Sequence, residues 1–312
     1  MRERRVEVQE RQRLDVLLAR LWPDLGRHEV EEMVRQQQVL VNGHPALKPG
    51  QYVEVGDVVE AQAPAAGEDE ETSALPTTLP MQVLYEDDVL LVVEKPAGMP
   101  THARWWEQGS TTLSEQLRER YPALANVGGI NRAGILQRLE KDVSGLMLVA
   151  QEREIYREMK HEVKRGRVHH TYFALVEGHL EGNDVIDAPI GDAKYSRHRM
   201  TVAREGRPAR TKYSALSHYS SENRPYTLLK VEPDSSRMHQ MRVHLSWYGY
   251  PIVGDTVYGS SRQWLLSDRL FLHLAILTFH HPLTREQMEV QSELPEALSS
   301  ILKYMKRPGY LR

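Results

Sequence analysis

The stretch that decides the fold is Ile135–Ala150, with the sequence ILQRLEKDVSGLMLVA. Its second half, from Gly145 to Ala150, is an unbroken apolar run, which is typical of a buried strand. Its first half contains two acids and two bases beside a Ser-Gly pair, which is typical of a turn. Glu140 therefore places a carboxylate just before the chain enters a hydrophobic core. Because a charged group is costly to bury, we expect this carboxylate to have a function.

The bulk composition is that of a globular protein. The chain has 312 residues, of which 40% are hydrophobic, and this is enough for one large domain and a small one. The absence of cysteine excludes disulfides and thiolate zinc sites and fits a reducing cytosol. The first fifteen residues are charged throughout, so they predict neither a signal peptide nor a membrane anchor. We expect a cytoplasmic protein with no membrane partner.

The charge is unevenly distributed along the chain. Residues 1–80 contain 9 Lys and Arg against 15 Asp and Glu, whereas residues 81–312 contain 31 against 28. Within residues 194–212 there are seven basic residues and one acid. Such a run fits either a solvated surface or a patch that contacts a phosphate backbone.

Periodicity divides the chain into three parts. Residues 1–61 contain a short amphipathic helix, a second short helix around Val30–Val34, and strands that turn at Asn-Gly and Gly-Asp, as in a small α/β module. Residues 62–80 are rich in Ala, Pro, Thr and acids and predict a flexible linker. Residues 81–312 mix strands and helices without regular βαβ alternation, so the predicted fold class is α+β.

Several generic motifs are absent or unconvincing. The segment VGGINRAG lacks the strand-to-helix setting of a dinucleotide loop, so no nucleotide cofactor is expected. The histidines occur at no helical metal spacing, and adjacent histidines on a strand point to opposite faces, so no metal site is expected. Ser144-Gly145 is predicted to be a structural turn and not a nucleophile elbow.

Three separated motifs then remain: RLEKDVSG from Arg138, TYFALV around Tyr172, and RMHQMRVHL from Arg237, followed by Gly254-Asp255 and Tyr258-Gly259. In this order they resemble the RluA/RluD-type RNA pseudouridine synthases over roughly residues 81–300. Residues 11–61 resemble the αL RNA-binding module that often precedes that domain. The resemblance implies a mixed, largely antiparallel sheet with flanking helices, plus a small N-terminal α/β RNA-binding module.

The resemblance also implies a chemistry. Such enzymes break the glycosidic bond of a uridine in RNA and rejoin the uracil through carbon, with no cofactor and no metal, on a base that has left the helix. Carried over to this chain, the catalytic residues are Glu140 as the carboxylate, Arg242 as its ion-pair partner and Tyr172 as the residue that stacks on the base. Arg138 is the residue that fills the space the base leaves. The partner implied is RNA, with ribosomal RNA favoured over transfer RNA.

The residues expected to contact RNA form a larger group, drawn from the basic run and from the third motif. They are Arg138, Lys194, Arg197, Arg199, Arg204, Arg207, Arg210, Lys212, Arg237, His239 and Gln240.

The chain departs from the family pattern at its most important position. The family has Asp where this chain has Glu140, and His where it has Gln137. The extra methylene extends the reach of the carboxylate by about 1–1.5 Å, and a misplacement of about 1 Å at a reacting centre costs on the order of a hundredfold in rate. Because both acids carry the same head group, the pair with Arg242 is still expected to form.

Two other functions stay open at this point. One is an RNA-binding relative that kept the cleft and lost turnover, acting as a ribosome-assembly or RNA-chaperone factor. The other is a glycoside hydrolase that uses Glu140 and Asp142, which is disfavoured because residues two apart lie too close together to flank a sugar. In the αL module, Glu29, Glu31 and Glu32 either weaken phosphate contact or face solvent.

Overall fold

The structure is a computed structural model of the 312-residue chain. It describes residues 2–22, 33–34, 36, 38–46, 48, 50–63, 81–102, 111–129, 131–193, 196–259, 265–266 and 269–306, and for residues 2, 19, 63 and 196–198 it describes the backbone alone. The chain divides into a smaller N-terminal unit within residues 1–77 and a larger unit that contains residues 78–102 and 111–312.

The N-terminal unit packs one helix against short strands. Its antiparallel sheet has the order β1 (Arg2–Glu7), β6 (Val58–Ala63), β3 (Val39–Val41), β4 (His44–Pro45), and β2 (Gln12–Arg13) pairs with β5 (Tyr52–Val53). Helix α1 spans Leu14–Leu21. Its apolar face, with Leu14, Leu18 and the adjoining Trp22, is buried against Val39 and Val59, as the spacing of the leucines predicts.

The larger unit is built on one long sheet with the order β11-β14-β15-β10-β16-β9-β8-β7, and β17 pairs with β16. Its strands are β7 (Gln82–Glu86), β8 (Leu90–Lys95), β9 (Ser144–Ala150), β10 (His169–Glu177), β11 (Asn183–Asp187), β14 (Arg210–Ser221), β15 (Arg224–Pro233), β16 (Leu272–His280) and β17 (Gln287–Gln291). A separate pair is formed by β12 (Ile190–Ala193) and β13 (Ser196–Val202).

Helices accompany this sheet. They are α2 (Leu113–Arg120), a 3₁₀ helix (Pro122–Asn126), α3 (Arg153–Lys164), α4 (Gln240–Trp247) and α5 (Glu296–Tyr304). Helix α2 begins with a capping box in which Thr112 accepts from the Glu115 amide and Glu115 accepts from the Thr112 amide. No helix in the described part of the chain is long and apolar enough to cross a membrane.

Strand β9 lies at the centre of the sheet, and all seven of its residues are buried. It pairs antiparallel with β8 and parallel with β16, where Ser144 and Gly145 lie opposite His273 and Leu274. Gly145 has φ +132°, and a Cβ there would lie 2.4 Å from the Leu274 carbonyl oxygen. Gly145 is therefore required for the close approach of β9 and β16.

The loop that carries Glu140 is held at several points along its length. Before the loop, Leu136 donates its amide to the Leu148 carbonyl, so the chain folds back along β9. Within the loop, the Thr101 hydroxyl bonds the Leu139 carbonyl at 2.8 Å, and the Gly98 amide donates to the Lys141 carbonyl at 2.8 Å. The backbone around Glu140 is thus fixed by its neighbours before any substrate is present.

The architecture confirms the predicted α+β class with a largely antiparallel sheet. The helices predicted at SEQLRER, EREIYREMKHEVK and HQMRVHLSW are present. Strand β1 was not predicted, and β6 continues to Ala63, just past the point where the linker was expected to begin. The second short helix and the linker lie mostly outside the described residues, as do Trp105 and Trp106.

Candidate active site

Glu140 and Arg242 meet in the structure, although 101 residues separate them along the chain. The Arg242 Nη1 donates to Glu140 Oε2 at 2.5 Å. The guanidinium side chain is 9% exposed and the carboxylate side chain 32% exposed. The carboxylate therefore remains accessible to a ligand, while the arginine that orients it is enclosed in protein.

Arg242 is held by a second, fully buried acid. Its Nε donates to Asp255 Oδ2 at 2.8 Å and its Nη2 to Asp255 Oδ1 at 2.9 Å, which is the two-pronged geometry that arginine favours. Asp255 Oδ1 also accepts the backbone amides of Val257 and Tyr258. Arg242 thus projects from helix α4 in a direction fixed by the loop that follows it.

His239 and Tyr258 complete the surroundings of the carboxylate. The His239 Nε2 lies 3.7 Å from Glu140 Oε2, and its Nδ1 bonds the Tyr258 hydroxyl at 2.8 Å. The same hydroxyl accepts the Met200 amide, and the Tyr258 ring lies 5.1 Å from the Arg242 guanidinium carbon. His239 has φ +56°, a left-handed conformation at the N-terminus of α4 that turns its imidazole toward Glu140.

The charges of this cluster reinforce one another. Burial works against the Arg242 charge, but hydrogen bonding to Asp255 and the negative charges of Glu140 and Asp255 raise its pKa above the ordinary value. Burial likewise works to raise the pKa of Asp255, yet the bonds to Arg242 hold that pKa below its ordinary value. A permanent cation therefore faces the Glu140 carboxylate.

Tyr172 lies on β10, next to a bulge in its pairing with β16, and is 7% exposed. Burial, with a further contribution from the Glu140 charge, raises the pKa of its hydroxyl. At neutral pH this tyrosine is therefore uncharged. Its ring is a flat, apolar surface beside the carboxylate, suited to stacking.

Lys95 is hydrogen-bonded to the loop that carries Glu140. Its side chain is fully buried, and its Nζ donates to the carbonyls of Pro96 and Met99 at 2.8 Å and of Lys141 at 3.2 Å. Burial lowers its pKa to about 7, although the charges of Asp142 and Glu140 act in the opposite direction. Lys95 and Pro96 form a Lys-Pro pair at the end of β8, and this pair was assigned no role from the sequence.

A second buried network lies behind the start of β9. The Ser144 hydroxyl bonds His273 Nδ1 at 2.9 Å, and the other imidazole nitrogen of His273 bonds the Ser292 hydroxyl at 3.0 Å. Burial, followed by the charge of Arg269, lowers the His273 pKa to about 4. Ser144 is structural and has no access to a reacting group, as predicted, but it is the first residue of β9 and not part of a turn.

The predicted RNA-contact residues are placed in different ways. Arg204 and Arg207 are exposed at the turn after β13. Arg199 donates to the Val257 carbonyl and lies over the Tyr258 ring, which brings it to the edge of the Glu140 cluster. Lys194 and the side chain of Arg197 lie outside the described residues.

Other members of that group have partners within the protein. Arg210 pairs with Asp187 at 3.2 Å and Lys212 with Asp234 at 2.9 Å, both pairs being partly exposed. Gln240 is 4% exposed, and its amide bonds the Arg210 carbonyl and the Thr211 hydroxyl, so it anchors the start of α4. The structure thus assigns Gln240 an internal contact where the sequence predicts an RNA contact.

Two residues central to the site were missed as functional residues. Asp255 and Tyr258 were recognised only as parts of a motif, because nothing in a linear sequence says that Asp255 shares an arginine with Glu140. Both side-chain amide atoms of Gln137 are buried without a hydrogen-bond partner among the described residues, and so are both ring nitrogens of His102.

Comparison with known protein families identifies the class of protein. Residues 89–247 match the family model described as RNA pseudouridylate synthase, and residues 12–59 match the S4 domain. The fold and the two matches together describe an RNA-modifying isomerase preceded by an RNA-binding module.

Individual relatives agree. The chain is 33% identical over 304 residues to an uncharacterized RNA pseudouridine synthase of Bacillus subtilis (strain 168), YlyB, covering 97% of each. It is 32% identical over 307 residues to ribosomal large subunit pseudouridine synthase D of Escherichia coli (strain K12), covering 95% of this chain and 91% of the other. The structure of human RNA pseudouridylate synthase domain containing 1 superposes with a TM-score of 0.57 at 28% identity, covering 71% of this chain and 87% of that one. The chain belongs to the RluA-type RNA pseudouridine synthases with an N-terminal S4 RNA-binding domain.

Proposed function

We propose that this protein converts uridine to pseudouridine in large-subunit ribosomal RNA, with Glu140 as its catalytic carboxylate. The observation that supports the proposal is the contact between Glu140 and Arg242, because the arginine orients a partly exposed acid in an otherwise enclosed cluster. The choice of ribosomal RNA is supported by the name of the Escherichia coli relative, which acts on the large ribosomal subunit.

In the proposed reaction, the bond between N1 of uracil and C1′ of ribose breaks and a bond from C5 to C1′ forms. The proton at C5 is released and N1 gains one, so no oxidant or cofactor is needed. Glu140 acts at the ribose, and Arg242 orients its carboxylate. Tyr172 stacks on the uracil, and Arg138 fills the space that the base leaves in the RNA helix.

The proposed division of labour along the chain follows the predicted boundaries. Residues 1–61 are the RNA-binding module, residues 62–80 a linker, and residues 81–312 the catalytic domain. The exposed arginines after β13, together with Arg199 at the edge of the site, are proposed to contact the RNA backbone near the everted uridine.

The extra methylene of Glu140 is compatible with this role. The longer side chain still reaches the Arg242 Nη1, and it also comes within 3.7 Å of His239. The carboxylate therefore has one cation and one imidazole beside it, which restricts the additional rotatable bond that Glu brings.

A second candidate is an RNA-binding relative without turnover. The observation that favours it is the Glu at position 140 itself, because a carboxylate displaced by about 1 Å can hold Arg242 and bind RNA yet react on the order of a hundredfold more slowly. In this case the protein would act on ribosome assembly or RNA folding by binding alone.

Tritium release separates the two candidates. Large-subunit ribosomal RNA labelled with tritium at C5 of uridine is incubated with the wild type, Glu140→Gln and Glu140→Asp. If Glu140 is catalytic, the wild type releases tritium and Glu140→Gln loses about a thousandfold in rate, since the nucleophilic or proton-transferring oxygen is gone.

The Asp variant is the decisive comparison. Shortening the side chain withdraws the carboxylate from Arg242, so we expect a rate loss of about a hundredfold relative to the wild type. Release of tritium by Glu140→Asp alone, with an inert wild type, would support the second candidate. RNA binding by all three proteins, measured in parallel, excludes misfolding as the cause.

A further inference from the structure

Helix α3 has a basic face that no step of the proposed reaction uses. Its basic residues Arg153, Arg157, Lys160 and Lys164 follow the spacing i, i+4, i+7, i+11, so they line one side of the helix. The acids of this helix lie elsewhere on its circumference: Glu158 pairs with Arg285 at 2.5 Å, and Glu162 pairs with Arg167. The helix therefore separates its charges, with its cations gathered on one side.

A cavity lies at the N-terminal half of this face. It has a volume of about 440 Å³, within the range that accommodates a nucleotide-sized group. It is lined by Ala125, Asn126, Gly128, Gly129, Arg153, Tyr156 and Arg157.

The cavity is constructed from closely fitted parts. A Cβ on Gly128 would lie 2.6 Å from the Tyr156 ring, so only glycine lets the ring close against this loop. Arg153 is held in place by the bond from its Nε to the Asn126 carbonyl at 3.2 Å. Among the described residues, no group accepts a hydrogen bond from the amide of Gly128 or Gly129.

One arginine of the cavity has a weak ion pair. Glu154 lies 3.8 Å from Arg157, and both side chains are more than 70% exposed. A pair of this kind contributes little and is readily exchanged for another anion. The residues that line the cavity therefore include two arginines, two glycines whose amides are unbonded among the described residues, and one tyrosine.

The basic face contacts the segment that runs into the Glu140 loop. The Lys160 Nζ lies 5.8 Å from the Tyr156 ring centroid and donates to the Leu136 carbonyl at 2.8 Å. Leu136 precedes the loop that carries Arg138 and Glu140. Burial and the positive charge of the neighbouring Arg132 lower the pKa of Lys160.

We propose that the basic face of α3 and its cavity form a second RNA-binding site, in which Arg153 and Arg157 hold a backbone phosphate of the strand next to the target uridine. Guanidinium groups bind phosphate oxygens in a forked geometry, and free backbone amides add further donors. Tyr156 offers its ring to the flanking base or ribose. This inference rests on the proposed action on RNA but not on turnover at Glu140.

The test is the salt dependence of RNA binding by the full-length protein. Labelled fragments of large-subunit ribosomal RNA are titrated with the wild type, Arg153→Ala/Arg157→Ala and Lys303→Ala between 50 and 200 mM KCl. Each phosphate contact contributes about 0.7–0.9 to the slope of log K against log salt. Because the two arginines hold one phosphate, we expect the double variant to lose about 0.8 from the slope and to bind about tenfold more weakly.

Two controls make the result specific. Lys303, an exposed lysine on α5, should show no change in slope when replaced by Ala. Arg153→Lys/Arg157→Lys should recover most of the slope, since it restores the charge. A slope for the double alanine variant equal to that of the wild type, or an equal loss in Lys303→Ala, overturns the inference. If the wild type releases no tritium but its RNA binding still depends on Arg153 and Arg157, the isomerase proposal is rejected and the second RNA-binding site is supported.

Discussion

Arg242 binds two carboxylates that differ in burial, in side-chain length and in the contact that they make. Asp255 is fully buried and bonds the guanidinium through two nitrogens, whereas Glu140 is partly exposed and meets a single one. The first contact fixes the arginine and the second directs the arginine's charge at the acid. A cation that is anchored independently can orient a catalytic carboxylate without being displaced by it.

This arrangement predicts a large stability effect at Asp255. Removing one member of a buried ion pair leaves the other charge without compensation, so Asp255→Asn is expected to lower the free energy of unfolding by about 3 kcal/mol. Asp187→Asn is the matched control, because its pair with Arg210 is exposed, and it should cost less than about 1 kcal/mol. Urea unfolding measures both, and equal effects in the two variants would contradict this account.

Sequence motifs point to some residues of the site and not to others. The importance of Glu140, Arg242 and Tyr172 was predicted because each belongs to a motif with a characteristic pattern. Asp255 was not assigned a role, since its value arises from an arginine thirteen residues away and from the fold that turns both inward. The internal position of Gln240 was also missed, because a polar side chain beside basic residues is typical of a protein surface.

At the scale of the elements, the most demanding contact is between β9 and β16. These two strands are the only parallel neighbours described in the long sheet, and they meet at Gly145. The sequence predicted the strand, but it placed a turn at Ser144-Gly145, which are the first two residues of β9. It did not predict this neighbour, because Leu274 lies 129 residues further along the chain. In the N-terminal unit, β1 was missed because its charged sequence shows no strand pattern, and its pairing with β6 defines it.

Gly145→Ala tests the approach of these strands. The added methyl group would lie 2.4 Å from the Leu274 carbonyl oxygen, so the strands must separate or the residue must abandon its φ of +132°. We expect a loss of about 3 kcal/mol in the free energy of unfolding. Gly166→Ala is the control, with a positive φ but no atom within 4 Å, and it should cost about 1 kcal/mol. Thermal unfolding of both variants decides the matter, and a Gly145 variant as stable as its control would contradict it.

At the scale of the whole molecule, three histidines that are buried or half-buried contribute to the response to acid. Burial is the main cause that lowers the pKa of His102, His170 and His273 to about 4 in each case. The unfolded chain, with histidine pKa values near 6.5, therefore binds more protons than the folded protein as the pH falls from about 6.5 to 4. Their contribution to stability is present above pH 6.5 and is lost below it.

The expected outcome is a melting temperature that declines progressively from pH 7 to pH 5. His273→Gln retains a side chain that can bond Ser144 and Ser292 but cannot titrate, so its melting temperature should decline less steeply over the same range. Calorimetry at several pH values measures the two slopes. Parallel slopes in the two proteins would show that His273 takes no part in acid destabilisation.

The division of Arg242 between two acids limits which substitutions the site accepts. Because two of its nitrogens are committed to Asp255, the arginine stays in place when the acid at position 140 changes length, and a shorter acid loses the contact. A change of acid at position 140 therefore has to be compensated outside the arginine. Lysine cannot stand in for the arginine, because its single ammonium cannot replace both contacts.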